Sequence, residues 1–95
     1  MTSIESRRLI ITGVVQGVGF RYHMIDKARQ LHISGWVRNR HDGSVEAIIT
    51  GSCETIAALL DWGRAGPPAS LVERVFVEQI EEPINARGFR LVENA

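Results

Sequence analysis

The run Val14-Val15-Gln16-Gly17-Val18-Gly19-Phe20-Arg21 constrains this chain more than any other, because two periodicities meet in it. Upstream, residues 8–15 are short and rich in β-branched side chains, the composition of a largely buried strand. Downstream, Phe20, Met24, Ala28 and Leu31 recur at helical spacing with Ile25 beside them. Lys27, Arg29 and Gln30 are left to face water, which predicts an amphipathic helix over residues 20–32. Between the two, Gly17 and Gly19 give the backbone conformations barred to other residues. An apolar strand therefore runs through a glycine turn directly into a helix.

The rest of the chain supplies further strands. Gly35 ends the first connection, and Trp36-Val37-Arg38-Asn39-Arg40 reads as a strand. Asp42-Gly43 is a strong hairpin signal. On the returning strand Val45, Ala47 and Ile49 alternate with Glu46, Ile48 and Thr50, as far as Gly51. Ser52 is placed to cap a second helix. That helix puts Ile56, Leu59, Leu60 and Gly63 on one face and stops at Gly66-Pro67-Pro68. Residues 70–80 interleave Val72, Arg74, Phe76, Glu78 and Ile80 with Glu73, Val75, Val77 and Gln79, a long strand. A loop over residues 83–87 leads to a last short strand over 89–93. The order β-α-β-β-α-β plus a final β predicts an α/β (α+β) fold, a mostly antiparallel sheet with both helices on one face. With 95 residues there is no room for a second core, so residues 1–95 are expected to form a single domain.

Charge and cysteine content narrow the function classes. The 11 basic residues balance the 11 acidic ones, which argues against a broad electrostatic footprint for nucleic acid. Cys53 is the single cysteine, so an intramolecular disulfide and a cysteine-built metal site are excluded. Residues 1–8 are polar without a signal-like apolar stretch, and no run of about 18 apolar residues follows. A soluble cytoplasmic protein that does not enter membranes is the expectation. His23, His32 and His41 are scattered without ligand-like spacing, and no metal is expected. Asp26 and Glu46 are expected to be solvated surface groups, Cys53 structural, and Trp36 and Trp62 packing residues.

Two residues stand out as candidates for chemistry. Unpaired N–H groups at a helix start favour an anion, through hydrogen bonds and the helix dipole. Arg21 adds a permanent charge and a planar fork suited to phosphate oxygens, so residues 14–21 read as a small oxyanion cradle. The segment is not a P-loop, since no Gly-Lys-Ser/Thr follows. Asn39 sits on a strand, where an amide is unfavourable by propensity. It reads either as a solvent-facing residue beside the Asp42-Gly43 turn or as a neutral donor and acceptor suited to holding water. Composition alone favours the first.

Gly13-Val14-Val15-Gln16-Gly17-Val18-Gly19-Phe20-Arg21 resembles the first signature of the acylphosphatase family. Gly35-Trp36-Val37-Arg38-Asn39 with Asp42-Gly43-Ser44-Val45-Glu46 and Gly51 resembles its second. The resemblance covers nearly the whole chain. It implies a ferredoxin-like sandwich and hydrolysis of acyl phosphates to a carboxylate and inorganic phosphate, by a monomer without metal or cofactor. Arg21 then matches the arginine that binds the phosphate, and the amides of Gln16, Gly17, Val18, Gly19 and Phe20 match the loop around its oxygens. Asn39 matches the asparagine that orients the attacking water. Met24 stands where some relatives carry threonine, and Thr12 is also at a position that varies. The chemistry is self-consistent: a carboxylate with a pKa of roughly 4 to 5 leaves without a general acid. Phosphoryl transfer then asks mainly for positioning and charge stabilisation. RNA-recognition domains share the topology but stack bases on aromatics of the central strands, which residues 45–50 lack. Domains of the acylphosphatase type also occur inside larger maturation proteins; no zinc-finger cysteines follow this one.

Overall fold

Alternation along the strands sorts their side chains to two faces, and the apolar set collects under the helices. The structure, a computed structural model, describes residues 3–81 and 87–95. Its elements are β1 (Ile4–Val14), α1 (Phe20–Gln30), β2 (Ser34–Asn39), β3 (Val45–Ser52), α2 (Cys53–Ala65), β4 (Leu71–Ile80) and β5 (Phe89–Leu91). They form one five-stranded sheet in the order β4-β1-β3-β2-β5. β1 runs antiparallel to both β3 and β4, and β2 antiparallel to β3. β5 alone pairs in parallel, against the outer side of β2. This is the mostly antiparallel sheet that the order of elements predicts, in the ferredoxin-like arrangement that the resemblance implies. Leu9, Ile11, Val37, Val45, Ala47 and Ile49 from the sheet meet Phe20, Met24, Ala28, Ile56 and Leu59 from the helices in one apolar cluster. Met24 is wholly inside it.

The differences from expectation have local causes. β1 starts at Ile4 rather than residue 8. Its early residues are polar, but Ser6 is buried and shares a 2.7 Å hydrogen bond with Thr50 across the β1–β3 pair. Pairing a buried hydroxyl with a second hydroxyl hides a strand from any apolar pattern. α1 ends at Gln30, two residues early. His32 takes a positive φ of 57°, Ile33 N–H reaches Ala28 O at 2.9 Å and His32 N–H reaches Arg29 O at 3.2 Å. That is a Schellman stop with histidine where glycine is usual, so Gly35 is not the punctuation. β5 is shorter than residues 89–93. Of the loop expected over residues 83–87, all but Arg87 lies outside the described residues.

Glu46 is the clearest correction. It is not solvated: only 4% of it is exposed. On the face of the sheet away from the helices, Arg8 Nε donates to Oε2 at 2.8 Å and Arg38 Nε to Oε1 at 2.6 Å. Burial pushes the Glu46 carboxyl up, but the two guanidinium groups outweigh it and hold the group below its ordinary value. Arg38 also lies over the Trp36 ring, 4.8 Å from its centre.

α2 follows its signals at both ends. Ser52 Oγ accepts from Thr55 N–H at 3.2 Å, and Gly66 N–H closes on Trp62 O at 2.7 Å.

Candidate active site

The site lies where the loop between β1 and α1 meets the far end of β2. Gly17 and Gly19 both take left-handed backbone, φ 74° and 78°. Gly19 is the N-cap of α1 and carries no side chain to cap with. The first turn-closing bond runs from His23 N–H to Gly19 O at 3.1 Å. Among the described residues, no hydrogen bond takes up the N–H groups of Phe20, Arg21 and Tyr22. No acidic residue occupies that first turn. The helix therefore presents its positive end with donors free, the arrangement that binds an oxyanion.

Two anchors hold the loop in place. Phe20 is 1% exposed and packs on Trp62 of α2, ring centres 5.3 Å apart. Gln16 Nε2 donates to Arg40 O at 2.8 Å and to Ser44 O at 2.9 Å. The Gln16 side chain therefore ties the loop to the β2–β3 hairpin, one residue from Asn39. Val18 is partly buried against the core. His23 Nδ1 is 2.8 Å from Gly19 O, which gives that imidazole a local backbone partner.

Arg21 is half-buried on the first turn of α1 and makes no ion pair among the described residues. Asn39 is the last residue of β2 and pairs with Val45. By the two-residue alternation it continues the row of Val37, on the helix side of the sheet. Its Oδ1 is buried and accepts no hydrogen bond from any described group. Buried polar atoms are almost always partnered, so an acceptor left over at this place is a signal of function.

The two candidates come together through a residue that the sequence did not flag. Asn94 Oδ1 lies 3.4 Å from Arg21 Nη1 and 3.3 Å from Asn39 N, accepting from both. Ala95 N–H to Asn39 O at 3.0 Å and His41 N–H to Ala95 O at 2.7 Å lay residues 94–95 along the end of β2. Asn94 lies three residues beyond the short β5, in a stretch of Val92, Glu93, Asn94 and Ala95 that carries no periodicity, so no sequence signal marks it.

Among the described residues no group of three His, Cys, Asp or Glu side chains is placed to hold a metal ion. A cleft of about 290 Å³ lined by Arg29, His32, Ile33 and Phe89 opens at the other end of β2 and includes neither Arg21, Asn39 nor Asn94.

Comparison with known proteins places the family and the fold. The model of the family described as Acylphosphatase matches residues 7–91. A curated acylphosphatase of Acidovorax sp. is 51% identical over 85 residues, covering 88% of this chain and 86% of its own. The crystal structure of acylphosphatase from Bacillus subtilis superposes with a TM-score of 0.90 at 32% identity, over 95% of this chain and 99% of that one. The crystal structure of HypF from T. kodakarensis is similar over 93% of this chain but only 12% of its own, with a TM-score of 0.80 and 27% identity.

Proposed function

The chain belongs to the acylphosphatase family and hydrolyses acyl phosphates to a carboxylate and inorganic phosphate, and we propose how its own residues divide that work. Arg21 and the amides of Gln16, Gly17, Val18, Gly19 and Phe20 bind the phosphoryl group. Asn39 orients the water that attacks phosphorus. The observation that carries the reading is the buried, unpartnered Oδ1 of Asn39, a residue tied through Asn94 to Arg21 on the first turn of α1. An amide oxygen at that place accepts a hydrogen bond from water and turns its lone pair towards a phosphorus atom held in the loop.

As the water oxygen bonds to phosphorus, the bond from phosphorus to the acyl oxygen breaks and its electron pair leaves on the carboxylate. The leaving group, with a pKa of roughly 4 to 5, takes no proton near neutral pH. Asn39 is not basic, so the water proton passes to an oxygen of the phosphoryl group itself. Negative charge on the equatorial oxygens is met by Arg21 and the positive end of α1, fixed before the substrate arrives. The reading gives metal ions no role and takes the protein as a cytoplasmic monomer of one domain acting on a small substrate.

A hydrolysis assay on a simple acyl phosphate, run in excess chelator with inorganic phosphate as competitor, tests it. Turnover unaffected by chelator and inhibited competitively by phosphate is expected. An inert protein, or one silenced by chelator, contradicts the reading.

A further inference from the structure

We infer that Asn94 is a positioning residue that pre-sets Arg21 and the end of β2 for phosphate, an inference that rests on the roles just proposed for Arg21 and Asn39. One oxygen, Asn94 Oδ1, accepts from the Arg21 guanidinium on α1 and from the Asn39 backbone N–H on β2. It thereby touches both the first turn of α1 and the end of β2. The backbone around it is held independently. Val92 N–H donates to Val37 O at 3.0 Å, and Ala95 bonds on either side of Arg40, to Asn39 O and to His41 N–H.

The chemistry of the group suits the task. A guanidinium carries five donors, so a single bond to Asn94 leaves the others for phosphate oxygens. Holding a long side chain near its working position before the ligand arrives removes part of the ordering cost of binding. The two distances, 3.4 and 3.3 Å, are long for hydrogen bonds, so Arg21 is guided and still able to shift. The acceptor is also uncharged. A carboxylate there would hold Arg21 more tightly while cancelling its charge and repelling the phosphate.

Electrostatics and shape therefore give opposite orders for two variants. Aspartate keeps the size and the acceptor of asparagine, so a merely structural residue tolerates Asn94→Asp better than Asn94→Ala. A positioning residue that must stay neutral gives the reverse. The test measures the dissociation constant of inorganic phosphate by calorimetry, with KM and kcat for an acyl phosphate, in wild type, Asn94→Ala, Asn94→Asp and Arg21→Ala. Loss of one hydrogen bond predicts phosphate affinity and KM weakened about 3- to 10-fold in Asn94→Ala, with kcat changed less. Asn94→Asp is expected to bind phosphate at least about tenfold more weakly than wild type and more weakly than Asn94→Ala. Wild-type phosphate affinity in Asn94→Asp, or a defect smaller than that of Asn94→Ala, overturns the inference. If Arg21→Ala binds phosphate normally, the assignment of Arg21 is what fails. If Arg21→Ala loses phosphate while both Asn94 variants keep it, only the role of Asn94 fails.

Discussion

Two buried polar groups sit on neighbouring rungs of the β2–β3 ladder and are treated in opposite ways. On one rung Arg38 faces Glu46, and on the next Asn39 faces Val45. Glu46 points away from the helices and both of its carboxylate oxygens are taken by arginines. Asn39 points the other way and its Oδ1 has no described partner. A buried polar group that is fully bonded contributes rigidity, while an unpaired one costs stability and persists where something else uses it. A shift of one residue along a strand, which exchanges faces, separates the stabilising polar cluster from the reactive one.

Substitutions on the two faces are expected to separate accordingly. The largest effect belongs to Arg21→Ala. With the only side-chain cation assigned to the phosphate gone, kcat/KM for an acyl phosphate should fall by about 1,000-fold and phosphate binding should be lost. The melting temperature should barely move, since Arg21 makes no ion pair among the described residues. A Gln16→Ala variant comes next. It cuts the tie from the loop to Arg40 O and Ser44 O. Misplacing the cradle relative to Asn39 should lower kcat by about tenfold, read in the same assay. The smallest effect on activity is that of Glu46→Gln, expected to leave kcat/KM within about twofold. Its effect falls on stability, about 1–3 kcal/mol by denaturant titration near neutral pH, because two guanidinium groups lose their anion.

The pH dependence of that last effect has a definite sign. The folded carboxyl titrates below its ordinary value of 4.5, so its contribution is present above that value and is lost as pH falls through the lower, folded one. The wild type and Glu46→Gln should therefore converge in stability on acidification. A gap that stays constant down to strongly acid pH contradicts the assignment of Glu46 as an ionised, arginine-held group. Equal damage to activity and stability in Gln16→Ala would blur the contrast between the two faces.

Much of this was legible in the chain. The alternation of Val45, Ala47 and Ile49, the capping Ser52 and the stop at Gly66 each act locally, and the structure follows all of them. What was hidden depends on pairs distant in sequence. Glu46 looks like a solvent-facing strand residue because its alternation is correct; it is held by Arg38 on the neighbouring strand together with Arg8, 38 residues away. Ser6 was hidden for the same reason, its partner Thr50 being 44 residues off. At the site, the glycine turn and Arg21 are contiguous and readable, and Asn39 was singled out because an amide is unfavourable on a strand. Asn94 is 73 residues from Arg21, and no local pattern marks it. Local signals carry elements and caps, whereas burial of polar groups is a property of the assembled fold.

The central claim is that the unpartnered Asn39 oxygen holds the attacking water while Arg21 and the loop hold the phosphate. Steady-state hydrolysis of an acyl phosphate by Asn39→Ala, beside its dissociation constant for inorganic phosphate, tests that division most directly. Turnover lower by about 100-fold with phosphate affinity within about twofold of wild type is the predicted result. Full turnover by Asn39→Ala, or turnover and phosphate affinity lost together, contradicts it.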